Sequence, residues 1–490
     1  MKKPIVWVIC GSDCSGGAGC QADLLTCRDF NVHAATVITA ITAQNAQEVL
    51  EIHYCDSHLI QMQINSLEKA FAPSVVKLGL LGKKSTLITI NSYLQNYKGF
   101  IVCDPVLKST SGASFTKPFD LKRLIFPYIN LLTINIPEAE IFLQQKIHSL
   151  EDMAMAAPVF LELGVKSVLL KGGHLSSEKA CDFFTDGDKK FWLINSKIKE
   201  TRTRGTGCSL SSAISSALSR GYSLEDSLIL GKMYIQQGIR ENFKIKNNIL
   251  LGRLGFPRYS LDLPVVTKQV NFSSFPFLSC GKLGFYPIVD SVEWVRKLLT
   301  CGVRTIQLRI KNKKLSFIKQ AIIESVCLAR NYQAKLFIND YWKLAIETGA
   351  YGVHLGQEDL TTADIFSIHT ANLRLGISTH SLYELACAHA FRPSYIAFGP
   401  IYETTSKEMP FPPQGLAALR YWQKISPYPI VAIGGITLEC LEAVLRTKVR
   451  SVAVISAVMK ADEPAKVLSA FLSRMAYFSR ESDQCANFSN

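Results

Sequence analysis

Short apolar runs rich in β-branched residues alternate along the chain with longer stretches in which apolar positions recur every three or four residues. The first pattern is that of buried strands, the second that of helices packed on them. In the first half, runs at 5–10, 75–79, 100–104, 131–134 and 167–171 predict strands. The spacing predicts helices over 57–71, 149–163 and 209–218, with Ser57 and Ser149 as N-caps. Elements in this alternation build a layered α/β domain. Periodicity weakens between Asn247 and Ser279, where Gly, Pro, Ser and Asn punctuate the chain. We expect a domain over residues 1–258, a linker over 259–281, a second domain over 282–475 and a disordered tail over 476–490.

In the second half, eight strand candidates follow in order at 285–289, 305–309, 335–338, 352–355, 373–377, 395–398, 430–433 and 451–455, mostly with helical patterns between them. Eight βα units in so short a span predict a compact TIM (β/α)8 barrel. Polar and glycine residues gather just beyond these strands, at Arg309 and Lys311, Asn339 and Asp340, Gln357 and Asp359, Ser378, Gly434 and Gly435, and Ser456. Strand C-termini are where a barrel builds its active site. Any surface loop is polar, but that does not by itself produce paired acids on adjacent strands facing an Arg/Lys set.

Composition narrows the class. With 490 residues, 48% hydrophobic and 19% charged, the chain can fill two cores and keep a polar surface. No apolar stretch approaches the roughly 18–20 residues that span a bilayer. The run at 5–10 is shorter than a signal-peptide core, so a cytoplasmic protein without membrane association is expected. The 14 cysteines are scattered, without CxxC pairs or metal-ligand spacing, and read as small buried apolar residues in a reducing compartment. A net charge of +14 is dispersed rather than striped, which suits pockets for phosphorylated small molecules better than a nucleic-acid partner. Homo-oligomerisation stays open.

The segment GSDCSGGAG, Gly11 to Gly19, is a Gly-rich turn between a strand and a helix carrying Asp23. Such a turn lets backbone N–H groups approach a ligand or phosphate. No complete GxxxxGK[ST] loop is present, so any ATP must be held differently. Asp104 ends a strand at DPV and Glu138 follows another in Asn135-Ile136-Pro137-Glu138, positions from which carboxylates can hold Mg²⁺. Lys171 opens Lys-Gly-Gly-His at a strand end. Gly205-Thr206-Gly207-Cys208 precedes a helix whose N-terminus favours phosphoryl charge and a cysteine thiolate. Together with VITAITAQN and KLGLL, these motifs resemble hydroxymethylpyrimidine/phosphomethylpyrimidine kinase of the ribokinase superfamily, over about residues 3–258. The resemblance implies that Gln44 hydrogen-bonds an aminopyrimidine with Asp23 nearby. It implies that Asp104, Asn135, Glu138, Gly205 and Gly207 organise ATP and Mg²⁺, that Lys171 contacts ATP, and that Cys208 sits beside the transferring phosphoryl group as base or anion-hole member. Cys14, where proline is common, and Arg204, where histidine often stands, depart from the pattern, as does a glycine-poor stretch after Asn247.

In the barrel half, Gln307, Arg309 and Lys311 alternate along and beyond one strand, a clamp for a diphosphate. Asp340 and Asp359 follow neighbouring strands and can share one Mg²⁺. The turns after strands seven and eight are where barrels commonly form a phosphate site. With GFYPIVDSVEW, TIQLRIK, LFINDYW, YGVHLGQEDL, LGISTH, VAIGGI and AVISA, this half resembles thiamine-phosphate synthase. The resemblance implies that Gln307, Leu308, Arg309, Ile310, Lys311, Asn339, Ser378 and Lys407 bind a pyrimidine diphosphate and that Asp340 and Asp359 bind Mg²⁺. Thr404, Thr405, Ser406, Gly435, Ile455 and Ser456 would bind thiazole phosphate. The expected partners are therefore an aminopyrimidine, ATP and thiazole phosphate. The rival readings are a pyridoxine/pyridoxal-type kinase, a barrel that binds thiazole phosphate without coupling it, and a non-catalytic sensor of thiamine precursors.

Overall fold

A computed structural model describes residues 3–45, 47–107, 115–175, 177–198, 203–246, 248–270, 274–404 and 412–487. The chain divides into two compact units, Met1–Phe272 and Ser273–Asn490.

The first unit is built on a ten-stranded sheet. Its order is Val265–Thr267, Lys190–Ser196, Lys179–Thr185, Val168–Lys171, Leu131–Asn135, Phe100–Cys103, Val75–Leu78, Ile5–Asp13, His33–Gln44 and Val49–Tyr54. The strands from Val168–Lys171 to His33–Gln44 are parallel and the two margins antiparallel. Successive side chains on a strand face opposite sides. Trp7 and Ile9 accordingly join a core with Ile60, Ile64, Leu87, Ile90, Phe142 and Phe160 from the helices Ser57–Ala70, Lys84–Leu94, Ile136–Leu143 and Leu150–Glu162. Cys10 points the other way, toward the helices Gly19–Asp29 and Thr206–Ser219. The result is a three-layer ribokinase-like α/β fold.

Ser149 caps its helix reciprocally with Asp152, as the spacing predicts. At the other expected cap, Asp56 rather than Ser57 accepts from the Leu59 N–H at 2.7 Å. The helix expected at 209–218 starts at Thr206, which makes Gly205 its N-cap and puts Cys208 in its first turn. His33–Gln44 and the antiparallel margins have no counterpart in the sequence reading, and in the Ala/Thr-rich His33–Gln44 the apolar signal is weak.

The linker expectation needs correction. Val265–Thr267 pairs with the sheet edge, and Asp262 is buried against Arg240, with 2.8 Å between Oδ2 and Nη2. β-branched residues so close to a sheet edge complete it rather than span free. Farther on, the Phe277 N–H donates to the Arg392 carbonyl, and Cys280 and Leu283 enter the barrel core.

The second unit is a closed barrel of eight parallel strands, Gly284–Val289, Thr305–Leu308, Lys335–Asn339, Gly352–Leu355, Arg374–Thr379, Tyr395–Phe398, Ile430–Ile433 and Ser451–Val454. The first closes on the last through Phe285 opposite Val452. Tyr286, Phe337 and Tyr395 fill the interior with edge-on ring contacts between Phe337 and Tyr395. Gly376 makes room for them, since a Cβ there would lie 2.1 Å from Cζ of Tyr395. The barrel unit ends in the helix Pro464–Asn487, and residues 476–487 of the tail expected to be disordered continue that helix. Its Leu468 and Phe471 are fully buried, and Phe471 stacks on Phe285 at 4.8 Å, which anchors the helix to the barrel wall. Among the described residues no helix is long and apolar enough to cross a membrane.

Candidate active sites

In an open parallel sheet, ligands bind beyond the carboxyl ends of the strands. There the first unit places Asp104 just after Phe100–Cys103, Asn135 at the end of Leu131–Asn135 and Lys171 at the end of Val168–Lys171. Lys171 Nζ lies 2.8 Å from Asp104 Oδ1. Asn135 and Glu138 form a capping box at the start of helix Ile136–Leu143, with Asn135 Oδ1 accepting from the Glu138 N–H at 2.9 Å and Glu138 Oε2 accepting from the Asn135 N–H at 3.2 Å. Burial pushes the Glu138 carboxyl up to about 7, with Lys171 opposing the rise. Burial by itself would lower the Lys171 ammonium, but Asp104 and Glu138 outweigh it and hold the cation above its ordinary value.

Helix Thr206–Ser219 aims its first turn at this group. A Cβ on Gly207 would sit 3.4 Å from Lys171 Nζ and 3.5 Å from Asp104 Oδ2, so the helix backbone, its free N–H groups and its positive dipole end meet the pair directly. Gly205 has φ +77°, and a Cβ there would meet the Gly17 carbonyl at 2.2 Å, so the GTGC turn and the GSDCSGGAG turn touch backbone to backbone. Asp13 braces the latter, accepting from the Ser15 and Ala18 N–H groups, while Arg204 reaches its carboxylate at 3.5 Å and Ser15 Oγ at 3.2 Å. Arg204, a departure from the family pattern, thus clips the two turns together. Gln44 ends strand His33–Gln44 at the same edge, next to a β-bulge that can re-aim its side chain. Its carbonyl accepts from Cys14 Sγ at 3.3 Å.

Two of the expected site residues have surroundings of their own that bear on their roles. Asp23 is fully buried with both oxygens occupied, accepting from Lys77 Nζ at 2.8 Å, Cys10 Sγ at 3.4 Å and Ser212 Oγ at 2.7 Å. It ties helix Gly19–Asp29 to the sheet and to helix Thr206–Ser219, and its carboxylate is engaged by these internal partners. Cys208 stands in surroundings that disfavour the expected thiolate: burial pushes that thiol up to about 12, outweighing Lys77. The sequence did carry one unread signal, since a lysine inside the wholly buried run Val75–Leu78 requires an acid beside it. A second unforeseen pair, Lys232 Nζ to Asp182 Oδ2 at 2.6 Å, supports the turn after Lys171, because Asp182 Oδ1 accepts from the Gly172 N–H.

At the barrel mouth, Lys311 is ion-paired with Asp340. Asp340 has φ +64° and donates its N–H to the His354 carbonyl at 3.0 Å, a turn that holds its side chain beside Asp359 on the neighbouring loop. Burial raises the Asp359 carboxyl above its ordinary value and the facing Asp340 charge adds to the rise. Two carboxylates that repel one another and sit beside a lysine fit a divalent cation shared with a diphosphate. Asn339 and Gln307 are buried in the strands, and Arg309 follows its strand with its N–H bonded to the Val289 carbonyl at 2.7 Å. The side chains of Leu308 and Ile310 are buried, which leaves their backbones as the groups that can face a ligand. Gly435 lies in the turn after Ile430–Ile433, and Ile455 and Ser456 follow Ser451–Val454. Thr404 ends the described stretch there, while Thr405, Ser406 and Lys407 lie outside the described residues.

A buried polar chain went unread in the sequence. Gln307 Nε2 donates to Tyr286 Oη at 3.1 Å, Tyr286 Oη bonds Tyr395 Oη at 2.9 Å, Tyr395 Oη bonds His354 Nδ1 at 2.8 Å, and His354 Nε2 bonds Ser378 Oγ at 2.9 Å. Burial pushes the His354 imidazole down to about 4, so the ring is neutral. Its signal in the sequence is a polar ring inside an apolar strand, Gly352–Leu355.

Residues 13–251 match the phosphomethylpyrimidine kinase family and residues 285–458 the thiamine monophosphate synthase family. The thiamine-phosphate synthase of Salmonella typhimurium is 54% identical over 194 residues, covering 39% of this chain and 90% of that protein. The chain belongs to the thiamine-phosphate synthase family. It carries two enzymatic domains, a phosphomethylpyrimidine kinase followed by a thiamine-phosphate synthase, and thereby belongs to thiamine biosynthesis. A pyridoxal kinase from Staphylococcus aureus, solved with AMP-PCP and pyridoxal, shares the fold of the first unit at TM-score 0.50 and 23% identity, covering 55% of this chain and 98% of that one. A phosphomethylpyrimidine kinase from Clostridium difficile is 36% identical, covering 48% of this chain and 98% of that one, at TM-score 0.42. The family match of residues 13–251 favours the pyrimidine kinase over the pyridoxal-type alternative.

Proposed function

We propose that the first unit transfers the γ-phosphoryl group of ATP to the hydroxymethyl oxygen of 4-amino-5-hydroxymethyl-2-methylpyrimidine, and then a second phosphoryl group to that monophosphate. The convergence of Lys171, Asp104 and the N-terminus of helix Thr206–Ser219 carries this reading, because it gathers a cation and free N–H donors where phosphoryl charge develops. In each transfer an oxygen–phosphorus bond forms to the pyrimidine side as the bond to the departing ADP breaks, and in the first the hydroxyl proton passes to an oxygen of the transferred phosphoryl group. Gln44 reads the ring and Cys208 donates its thiol hydrogen toward the phosphoryl oxygens. Asp104 and Glu138 would hold Mg²⁺, which supplies charge neutralisation to the ATP phosphates.

The barrel would then join this diphosphate to 4-methyl-5-(2-phosphoethyl)thiazole. The carbon–oxygen bond to pyrophosphate breaks, the aminopyrimidine stabilises the cationic methylene carbon, and the thiazole nitrogen closes the new carbon–nitrogen bond. Arg309 and Lys311 stabilise the leaving diphosphate, and Gln307, Asn339 and Ser378 hold the pyrimidine. Asp340 and Asp359 would hold Mg²⁺, which neutralises part of the diphosphate charge. Gly435, Ile455 and Ser456 offer backbone and hydroxyl groups to the thiazole phosphate, as the loops after strands seven and eight do in other barrels. Cytoplasmic placement accords with these soluble substrates. Incubating the full chain with hydroxymethylpyrimidine, ATP, Mg²⁺ and thiazole phosphate, and following the products by chromatography, tests both halves. Formation of thiamine phosphate is expected; binding without turnover would make the chain a sensor of thiamine precursors.

A further inference from the structure

The side chains of Gln307 and Ser378 stand on the second and fifth barrel strands, yet the described structure connects them by four consecutive hydrogen bonds through Tyr286, Tyr395 and His354. All three connecting side chains are buried, at 1%, 0% and 6% exposure, so water does not replace any link. A hydroxyl donates one hydrogen and a neutral imidazole donates from one nitrogen and accepts at the other. With every buried hydroxyl hydrogen used inside the chain, the direction of one link sets that of the next. With the Gln307 amide N–H donating to Tyr286, Tyr286 donates to Tyr395, Tyr395 donates to His354 Nδ1, and His354 Nε2–H donates to Ser378 Oγ. Two consequences appear at the ends. Gln307 is left with its carbonyl oxygen and its second amide hydrogen, and Ser378 with its hydroxyl hydrogen. Turning the amide over would reverse every link, exchanging the amide oxygen and nitrogen and committing the Ser378 hydroxyl hydrogen to His354 Nε2, so that Ser378 could only accept from a ligand.

We propose that Tyr286, Tyr395 and His354 are positioning residues that couple the hydrogen-bonding sense of Gln307 to that of Ser378, and that this coupling selects an aminopyrimidine over an oxopyrimidine. The proposal rests on the assignment of Gln307 and Ser378 to the pyrimidine. An exocyclic amine donates and the ring nitrogens beside it accept, which matches a free carbonyl oxygen at Gln307 and a free hydroxyl hydrogen at Ser378. A 4-oxo ring presents an acceptor where the amine was. Placing an amide N–H at the point where the carbonyl oxygen met the amine requires the amide to flip, and through the chain that flip withdraws the hydroxyl hydrogen at Ser378. A site whose buried polar groups are left mismatched rejects the wrong ligand strongly.

The test uses the full chain and two probes, the aminopyrimidine diphosphate and its 4-oxo counterpart, each bound without thiazole phosphate so that no turnover follows. Nitrogen NMR of His354 in the free protein should show the hydrogen on Nε2, and hydrogen on Nδ1 would overturn the proposal whatever the ligand assignment. The wild type should favour the amino probe by roughly 100-fold or more, and Tyr395→Phe and Tyr286→Phe, which cut the chain at different links, should each narrow that ratio by about tenfold. Equal weakening for both probes, with the ratio preserved, would make the tyrosines structural only and sink the coupling. Failure of the underlying assignment looks different: Gln307→Ala and Ser378→Ala would then leave the affinity for both probes unchanged while the His354 signal stayed on Nε2.

Discussion

Lys171 Nζ lies 2.8 Å from Asp104 Oδ1, although the two residues end strands separated by a third, Leu131–Asn135. Neither charge is free in this state. Asp104 holds the ammonium in place, at the point where the helix Thr206–Ser219 begins. Groups that act as one unit lose function non-additively. Lys171→Ala and Asp104→Asn should each lower kinase kcat by roughly 100-fold or more, and the double variant should be little worse than either. Steady-state kinetics on hydroxymethylpyrimidine would show this, and strictly multiplicative losses would separate the two roles.

Cys208 supplies a sharper distinction. With its thiol pushed up to about 12 by burial, it carries its hydrogen throughout the physiological range. A donor can be replaced by another donor, whereas a thiolate base cannot be replaced by a hydroxyl of much higher pKa. Cys208→Ser should therefore keep kinase turnover within about threefold and Cys208→Ala lose about tenfold, with Michaelis constants little changed. Serine as inactive as alanine would restore the base role.

Glu138 links function to stability. The native state holds this proton up to about 7 against an ordinary value of 4.5, so it binds the proton more tightly than the unfolded chain does. For an acid raised on folding, stability falls as pH climbs from about 4.5 and levels off above about 7, by at most about 3 kcal/mol. Glu138→Gln keeps an oxygen for the Asn135 cap and removes the charge. Without Mg²⁺ or ATP, the variant should melt higher than the parent at pH 8 and nearly level with it at pH 5, while kinase activity falls. A constant offset across that range would contradict the buried-charge account.

Gln44 is expected to separate the two kinase substrates. Its side chain sits at the bulged end of His33–Gln44, whereas the phosphate-directed group gathers at the ends of Phe100–Cys103 and Val168–Lys171, across several strands of the sheet. Gln44→Ala should raise the Michaelis constant for the pyrimidine by roughly 10-fold and leave that for ATP nearly unchanged. Matched increases in both constants would remove Gln44 from the pyrimidine contact.

What the sequence made legible follows its physics. All eight barrel strands lie within two residues of their expected bounds, because strands buried on both faces read as continuous apolar runs. The kinase margins were less legible: Lys179–Thr185 mixes charged and apolar residues, although Lys190–Ser196 carries the buried apolar run Phe191, Trp192, Leu193 and Ile194. Ligand-facing groups at strand ends were readable from their positions. Internal partners were not: Asp23 looked like a site residue until its bonds to Lys77 and Ser212 were visible, and the Tyr286–Tyr395–His354 chain joins residues more than a hundred positions apart. Contacts of that kind leave no spacing in one sequence.

The two activities should be separable by a single change at the barrel mouth. Asp340 belongs to the unit Ser273–Asn490, while Asp104, Glu138 and Lys171 belong to Met1–Phe272, each with its own core. In Asp340→Ala the Lys311 ammonium loses its carboxylate partner and the facing Asp359 loses a repelling charge, so the carboxyl of Asp359 should fall back toward its ordinary value. That leaves one carboxylate where a divalent cation and a diphosphate need two, and loss of an electrostatic contact of this type typically costs on the order of 100-fold or more in rate. The kinase core is untouched, because units with separate cores behave independently. Supplied with hydroxymethylpyrimidine, ATP, Mg²⁺ and thiazole phosphate, the variant should accumulate pyrimidine diphosphate and form almost no thiamine phosphate, which chromatography resolves directly. Thiamine phosphate at the wild-type rate would move the metal site away from Asp340, and failure to form the diphosphate would mean that the kinase depends on the barrel after all.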